Sequence, residues 1–200
     1  MKTIDYYFSL LSPFTYLAGL ELESIARDHN LAIAYKPMNI GEVFGQTGAV
    51  MPKDRHWSRQ EYRLQELQRI SEAQNMPINL KPAHWPTDVT FASSVLIAAA
   101  NAGKEVGPFV HALLKAVWSD EKDIGDMSTV IAIANDFDIN VDELSIDSPD
   151  APTAFQANTR EAIESGVFGS PFYILDGQRF WGQDRLPWLR RTVETSSDSN

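Results

Sequence analysis

Two serines and one carboxylate stand where this 200-residue chain could do chemistry without a cysteine or a metal. Ser12 precedes Pro13 in the stretch Ile4 to Ala18, IDYYFSLLSPFTYLA. The first half, Ile4 to Phe8, is rich in β-branched and aromatic residues, the composition of a strand covered on both faces. Ser-Pro then opens a run in which Leu17, Leu20, Leu22 and Ile25 recur at near-helical spacing, predicting a helix from Pro13 to about Asp28. Ser is a favoured N-cap and Pro suits the first helical turn. The Ser12 hydroxyl would then lie among free backbone N–H groups at the positive end of a helix dipole, where anions bind. Capping alone also accounts for a serine there, and these residues leave both roles open.

The second stretch is Gly166 to Leu186, GVFGSPFYILDGQRFWGQDRL. Phe172–Leu175 is an apolar strand, Asp176-Gly177 a two-residue hairpin turn, and Arg179–Trp181 the return strand. Asp184 is placed to cap a closing helix over Leu186–Val193. With no cysteine, the chain has no disulfide, thiolate metal site or cysteine nucleophile, so sulfur chemistry needs a thiol brought by a ligand. His29, His56, His84 and His111 show no ligand spacing, and no metal is expected. None of them lies in a nucleophile motif and the GxSxG elbow of serine hydrolases is missing, which argues against Ser12 as an attacking alkoxide.

The elements that must position these groups follow from the rest of the chain. Helix one and the strand Leu31–Tyr35, ended by Pro37, make a β-α-β unit. Asn39 to Arg55 reads as loop with a helical turn at Glu42–Phe44. Ser58 and Glu61 form a capping box ahead of Leu64, Leu67 and Ile70. Prolines 82 and 86 make Asn79–Asp88 irregular. Helices are expected over Phe91–Ala102, over Pro108–Trp118, over Thr129–Phe137 capped by Ser128, and from Thr153 to Ser165. Strand-helix-strand, a helical middle, then hairpin and helix is the order of an α/β thioredoxin-like fold with a large all-helical insertion. Residues 1–38 and 166–195 would form the thioredoxin-like domain, 39–165 the insertion, and 196–200 a frayed tail.

Composition bounds the function. With 44% hydrophobic and 22% charged residues the chain is of the soluble globular class, and its length buries roughly 70% of the unfolded surface. A net charge of −10 argues against nucleic acid or an anionic membrane as partner, though not against a local basic pocket. No apolar run is long enough to span a bilayer, and Asp5 interrupts the N-terminal apolar run, so no signal peptide is expected and the cytoplasm is the expected location.

The two stretches, together with YRLQELQR and LLKAVWSDEKDI, resemble the 2-hydroxychromene-2-carboxylate isomerases, relatives of kappa-class glutathione transferases and of periplasmic disulfide-forming oxidoreductases. The resemblance spans nearly the whole chain. It implies glutathione as cofactor, a small aromatic substrate, and homodimers as in relatives. Ser12 falls where redox relatives carry the first cysteine of CxxC, and it would stabilise a glutathione thiolate. Pro171 falls on the family's cis proline, with Ser170 before it offering its backbone to an extended peptide ligand. Trp181, Gly182, Gln183 and Asp184 match residues that hold glutathione, with Asp184 meeting the γ-glutamyl ammonium, capping the helix, or doing both. Relatives carry Lys where this chain has Gly45, and kappa-class members Asn where it has Ala49. Lys53, Arg55 or Lys36 could replace the missing charge or be solvated surface groups; Lys53 and Trp85 are the substrate-binding candidates, with core packing the other reading of Trp85. The implied reaction is glutathione-dependent interconversion of 2-hydroxychromene-2-carboxylate and trans-o-hydroxybenzylidenepyruvate, or of a close aromatic analogue. A kappa-like transferase or peroxidase, and a non-catalytic thioredoxin-like binding module, are the alternatives.

Overall fold

A computed structural model describes residues 1–146 and 153–197, the side chains of 196 and 197 excepted. Thr3–Phe8 forms strand β1 and Ala32–Pro37 strand β2, paired in parallel with Tyr6 opposite Tyr35. Phe172–Leu175 (β3) runs antiparallel to β1, and Gln178–Trp181 (β4) antiparallel to β3, with Phe172 opposite Trp181. The sheet order is β2-β1-β3-β4. Asp176 and Gly177, both at positive φ, make the expected tight turn.

Two covered faces explain the apolar composition of β1. On one, Tyr6 stacks on Phe8 and Tyr173 at centroid distances of 4.5 and 5.2 Å, continuous with a core that reaches Val95, Phe109, Trp118 and Leu189. On the other, Tyr7 packs with Met38, Val43, Val167 and Phe172. Lys36 closes that side, with Nζ 2.8 Å from Asp5 and 2.6 Å from Glu161. This uses up one of the cations considered for a ligand.

The helical parts depart from expectation in instructive ways. The first helix is two: α1 (Pro13–Tyr16) and α2 (Glu21–Asp28), separated where Gly19 takes a left-handed φ of 59°. Leu17, at the break, is fully buried, and Leu22 and Ile25 join the same core from α2. The glycine-containing segment read as loop holds α3 (Ile40–Thr47), because Asn39 Oδ1 caps the Gly41 and Glu42 N–H groups and Gly48 ends the helix at φ 75°. Next comes α4 (Trp57–Gln74), capped by His56 instead of Ser58, so the expected capping box lies inside the helix. Helices α5 (Thr90–Asn101) and α6 (Gly107–Trp118) stand within a residue of expectation. For α7 (Met127–Asn135) the cap is Asp126, whose Oδ1 accepts the Ser128 N–H at 2.9 Å. The helix expected from Thr153 to Ser165 is α8 (Ala154–Glu164), with Thr153 as its cap. The closing helix α9 (Leu186–Ser197) continues past Val193 into the polar tail; residues 198–200 of the expected frayed segment lie outside the described residues. No described helix is long and apolar enough to cross a membrane.

One buried acid sits beneath this framework. Glu23 of α2 accepts the Tyr35 hydroxyl at 2.9 Å through Oε1, while its Oε2 is buried with no partner. Gly107 makes room for the pair, since a Cβ there would stand 2.7 Å from the Tyr35 oxygen. Burial pushes the Glu23 carboxyl up from its ordinary value. A carboxyl raised by folding makes the unfolded chain the better acid, so it weakens stability as pH rises from near 4.3 through the folded value. Glu23→Gln is therefore expected to raise Tm at pH 7 and to leave it nearly unchanged near pH 4. Thermal melts of both proteins across that range check it.

Candidate functional site

Ser12 is the N-cap of α1, with extended φ and ψ of −92° and 118°, and its oxygen accepts the Thr15 N–H at 3.2 Å. The same hydroxyl donates to the Ser170 carbonyl at 3.2 Å. Ser170 replies through its side chain: its Oγ accepts the Ser9 N–H at 2.9 Å and lies 2.8 Å from the buried Thr15 Oγ1. Four residues from β1, α1 and the loop before β3 are thereby tied into one knot. Ser170–Pro171 is cis, as expected, and the Pro171 carbonyl accepts the Gly182 N–H at 2.9 Å. Among the described residues, the N–H groups of Phe14 and Ser170 donate to no protein atom. Because α1 is a single turn, it offers these local donors and not the long dipole first expected.

These groups open onto a cleft of about 710 Å³. Ser12, Pro13 and Phe14 line one side of it and Phe168, Gly169 and Ser170 another. Phe44 and the segment from Thr47 to Lys53 form a further wall, with Arg55, Arg59 and Arg63 beside it. Trp85 also lines it, its indole donating to the Leu11 carbonyl at 3.0 Å while its ring packs against Trp118 at 5.7 Å. No histidine lines the cleft, so Ser12 has no imidazole base there. Among the described residues, His, Asp and Glu make no cluster of three suited to a metal ion.

The residues singled out from the sequence divide around this cleft. Ser12, Ser170, Trp181, Lys53 and Trp85 line it, as does Ala49. Trp181 is held edge-on against Phe168 at 4.9 Å, and its indole crosses Gly169 so closely that a Cβ would stand 2.2 Å from Nε1. Gly182, Gln183 and Asp184 follow immediately outside the wall. Gly182 has a φ of 108°, which favours glycine. Asp184 lies within the 3₁₀ turn Gln183–Arg185, its carboxylate 2.6 Å from Arg185 on the exposed surface. Gly45 is exposed and offers the cleft no side chain. Lys36 is spent on its two carboxylates on another face of the sheet.

Sequence reasoning passed over Ser9, Thr15, Arg59 and Arg63. A threonine three residues after the cap serine was the available sign for the first pair, and two arginines one helical turn apart for the second. Arg63 sits over the Phe14 ring at 6.0 Å. Burial, and then the neighbouring Arg55, holds its guanidinium below the ordinary value. Arg55 is lowered in the same way, by burial and then by Arg59. The Thr15→Val replacement keeps shape and removes one hydrogen bond of the knot; it should cost about 1 kcal/mol and lower Tm by about 2–4 °C, read by calorimetry.

A family model described as a DSBA-like thioredoxin domain matches residues 3–194. Over 193 residues the chain is 30% identical to a 2-hydroxychromene-2-carboxylate isomerase of Pseudomonas sp. (strain C18), covering 95% of this chain and 89% of that one. It is 26% identical over 206 residues to glutathione S-transferase kappa 2 of Caenorhabditis elegans, with 93% and 89% covered. A solved 2-hydroxychromene-2-carboxylate isomerase shares the fold with a TM-score of 0.77 at 23% identity, over 99% of each chain. With its strand order, its Ser12–Ser170 knot and these matches, the chain belongs to the DSBA-like thioredoxin family, in the branch of the 2-hydroxychromene-2-carboxylate isomerases and their kappa-class relatives.

Proposed function

We propose that this protein is a glutathione-dependent isomerase that interconverts 2-hydroxychromene-2-carboxylate and trans-o-hydroxybenzylidenepyruvate, or a close aromatic analogue, in the breakdown of aromatic compounds. One observation carries the reading: a serine hydroxyl and two unpartnered backbone N–H groups, those of Phe14 and Ser170, border an apolar cleft on a fold whose relatives include a kappa-class glutathione transferase. Donors without partners in a cleft suit an anionic sulfur and the main chain of a peptide.

When bound, glutathione supplies a thiol whose anion adds to an unsaturated carbon of the substrate and leaves again, so that it emerges unconsumed. The chain's own residues have three tasks. Ser12 would donate its hydrogen bond to the sulfur in place of the Ser170 carbonyl, the proton staying on its oxygen, which keeps the Thr15 N–H. An ordinary thiol has a pKa near 8.5, and each unit of lowering needs about 1.36 kcal/mol of preference for the anion. The Ser170 backbone, freed on its carbonyl side, would pair with the peptide, and Trp181 to Asp184 would hold its γ-glutamyl part, with Asp184 as the candidate for its ammonium. Phe14, Phe168 and Trp85 present apolar surface to the aromatic ring and keep water from it.

Similarity to the kappa-class transferase favours a second reading, stable conjugation of glutathione to an aromatic electrophile. Both readings share the cofactor site and separate in the fate of the thiol.

Ser12→Ala should raise the pKa of bound glutathione by about one unit or more while preserving much of its affinity, because one charge-assisted hydrogen bond is worth about 1.5–3 kcal/mol. Titration of the thiolate ultraviolet band in both complexes reads this, and an unchanged pKa assigns Ser12 to capping alone. Several ring-substituted chromene carboxylates should isomerise only with glutathione present, free thiol staying constant. Loss of thiol into conjugates without isomerisation would transfer the assignment to the second reading.

A further inference from the structure

We infer that Arg63, with Arg55 beside it, receives the carboxylate of an aromatic anion whose ring lies along Phe14, making Arg63 a specificity-determining residue of the cleft. The inference rests on the proposed function only for what is done to that anion. It starts from a charge imbalance. The chain carries 27 acidic and 17 basic residues, yet among the described residues no carboxylate pairs with Arg55, Arg59 or Arg63. Elsewhere Lys36 pairs with Asp5 and Glu161, Lys115 with Asp120, and Arg190 with Glu21 and Asp28, while Arg160, Arg179 and Arg191, which also lack a carboxylate partner among the described residues, are exposed to water.

What distinguishes Arg55, Arg59 and Arg63 among the unpaired arginines is that the three are brought together on one cleft. Arg59 and Arg63 follow one another by a turn of α4, and Arg55 precedes that helix, its Nε spent on the Val50 carbonyl at 2.9 Å. Arg63 is half-buried with its guanidinium over Phe14, so its charge is partly desolvated without a counter-ion. Such a charge is costly in the free protein and is repaid when an anion arrives. A planar guanidinium fork fits a carboxylate in two parallel hydrogen bonds. The adjoining wall is aromatic, with Phe14 next to Arg63 and Phe44 under Arg55 at 6.0 Å. Carboxylate and ring are thus matched side by side. Glutathione carries carboxylates too, and the experiment separates the two sources.

Coumarin-3-carboxylate and its neutral carboxamide are titrated by fluorescence into the full chain, and glutathione by calorimetry, in wild type, Arg63→Gln and Arg63→Lys, with melting curves as the folding control. The wild type should prefer the carboxylate by about tenfold or more, the scale of a charge-assisted hydrogen bond. Arg63→Gln should erase that preference, leaving carboxamide and glutathione affinities unchanged, and Arg63→Lys should retain part of it. Failure of the wild type to prefer the carboxylate overturns the assignment, as does an equal loss for both probes. A loss of glutathione affinity with the preference kept overturns it in favour of the peptide's own carboxylate. None of these readings needs turnover. A carboxylate preference that depends on Arg63, in a protein that isomerises nothing, would leave this assignment standing and remove the isomerase.

Discussion

The two hydrogen bonds joining Ser170 to Ser12 and Thr15 are the constraint on which the rest depends. They bridge 158 and 155 residues of chain and fasten a single helical turn to the loop that leads into β3. Neither element would hold its place alone. A four-residue helix is far below the length at which helices persist by themselves. The loop before β3 is irregular backbone that needs partners for its polar groups. Fastened together, and fastened again to β1 through Ser9, they become the rigid floor of a cleft.

From that floor the charge distribution follows a division of labour. No described acidic residue lines the cleft, although the chain carries an acidic surplus of ten charges. The cleft itself keeps arginines without acids. Its floor keeps unpartnered N–H groups. Both are donors awaiting acceptors, in an apolar setting that strengthens each electrostatic contact. A binding module could use such a surface; under the proposed function the Ser12 hydroxyl and the cation cluster would each receive a different ligand.

What could be read from the chain was what is local. The apolar strand Ile4–Phe8, the Asp176-Gly177 turn and the helix starting at Thr153 each declare themselves within a few residues, and each stands. The caps at Ser58 and Ser128 were misplaced because His56 and Asp126 offer an equivalent acceptor two residues earlier, and only tertiary packing chooses between them. The break at Gly19 hides inside a sound apolar period, since Leu17, Leu22 and Ile25 are buried on both sides of it. Arg63 was passed over for the opposite reason, since its spacing from Arg59 alone does not say what it faces. Its helix shows in the sequence only a cap signal and the apolar positions Leu64, Leu67 and Ile70, and the cleft that Arg63 faces is assembled from segments distant in the chain. Trp181 to Asp184 were legible only through family resemblance, and the structure sets Trp181 at the cleft with the other three just outside.

The two readings of Ser12 with which the sequence began need not compete. A hydroxyl has one proton to give and two lone pairs to receive with. In the free protein Ser12 receives from Thr15 and gives to the Ser170 carbonyl, so it caps the helix and closes the knot at once. In the proposed complex only the donated bond is reassigned. The Ser12 O–H would donate its hydrogen bond to the sulfur, and a peptide N–H would donate to the Ser170 carbonyl, so no buried acceptor is left bare. The knot's remaining link, between Thr15 and Ser170, stays in place during that exchange and keeps α1 and the loop in register. This makes the second link the structural one and the first the adjustable one. It also explains why a serine can stand here with no base beside it: what the site asks of Ser12 is a donated hydrogen bond, and that requires the proton to stay on its oxygen.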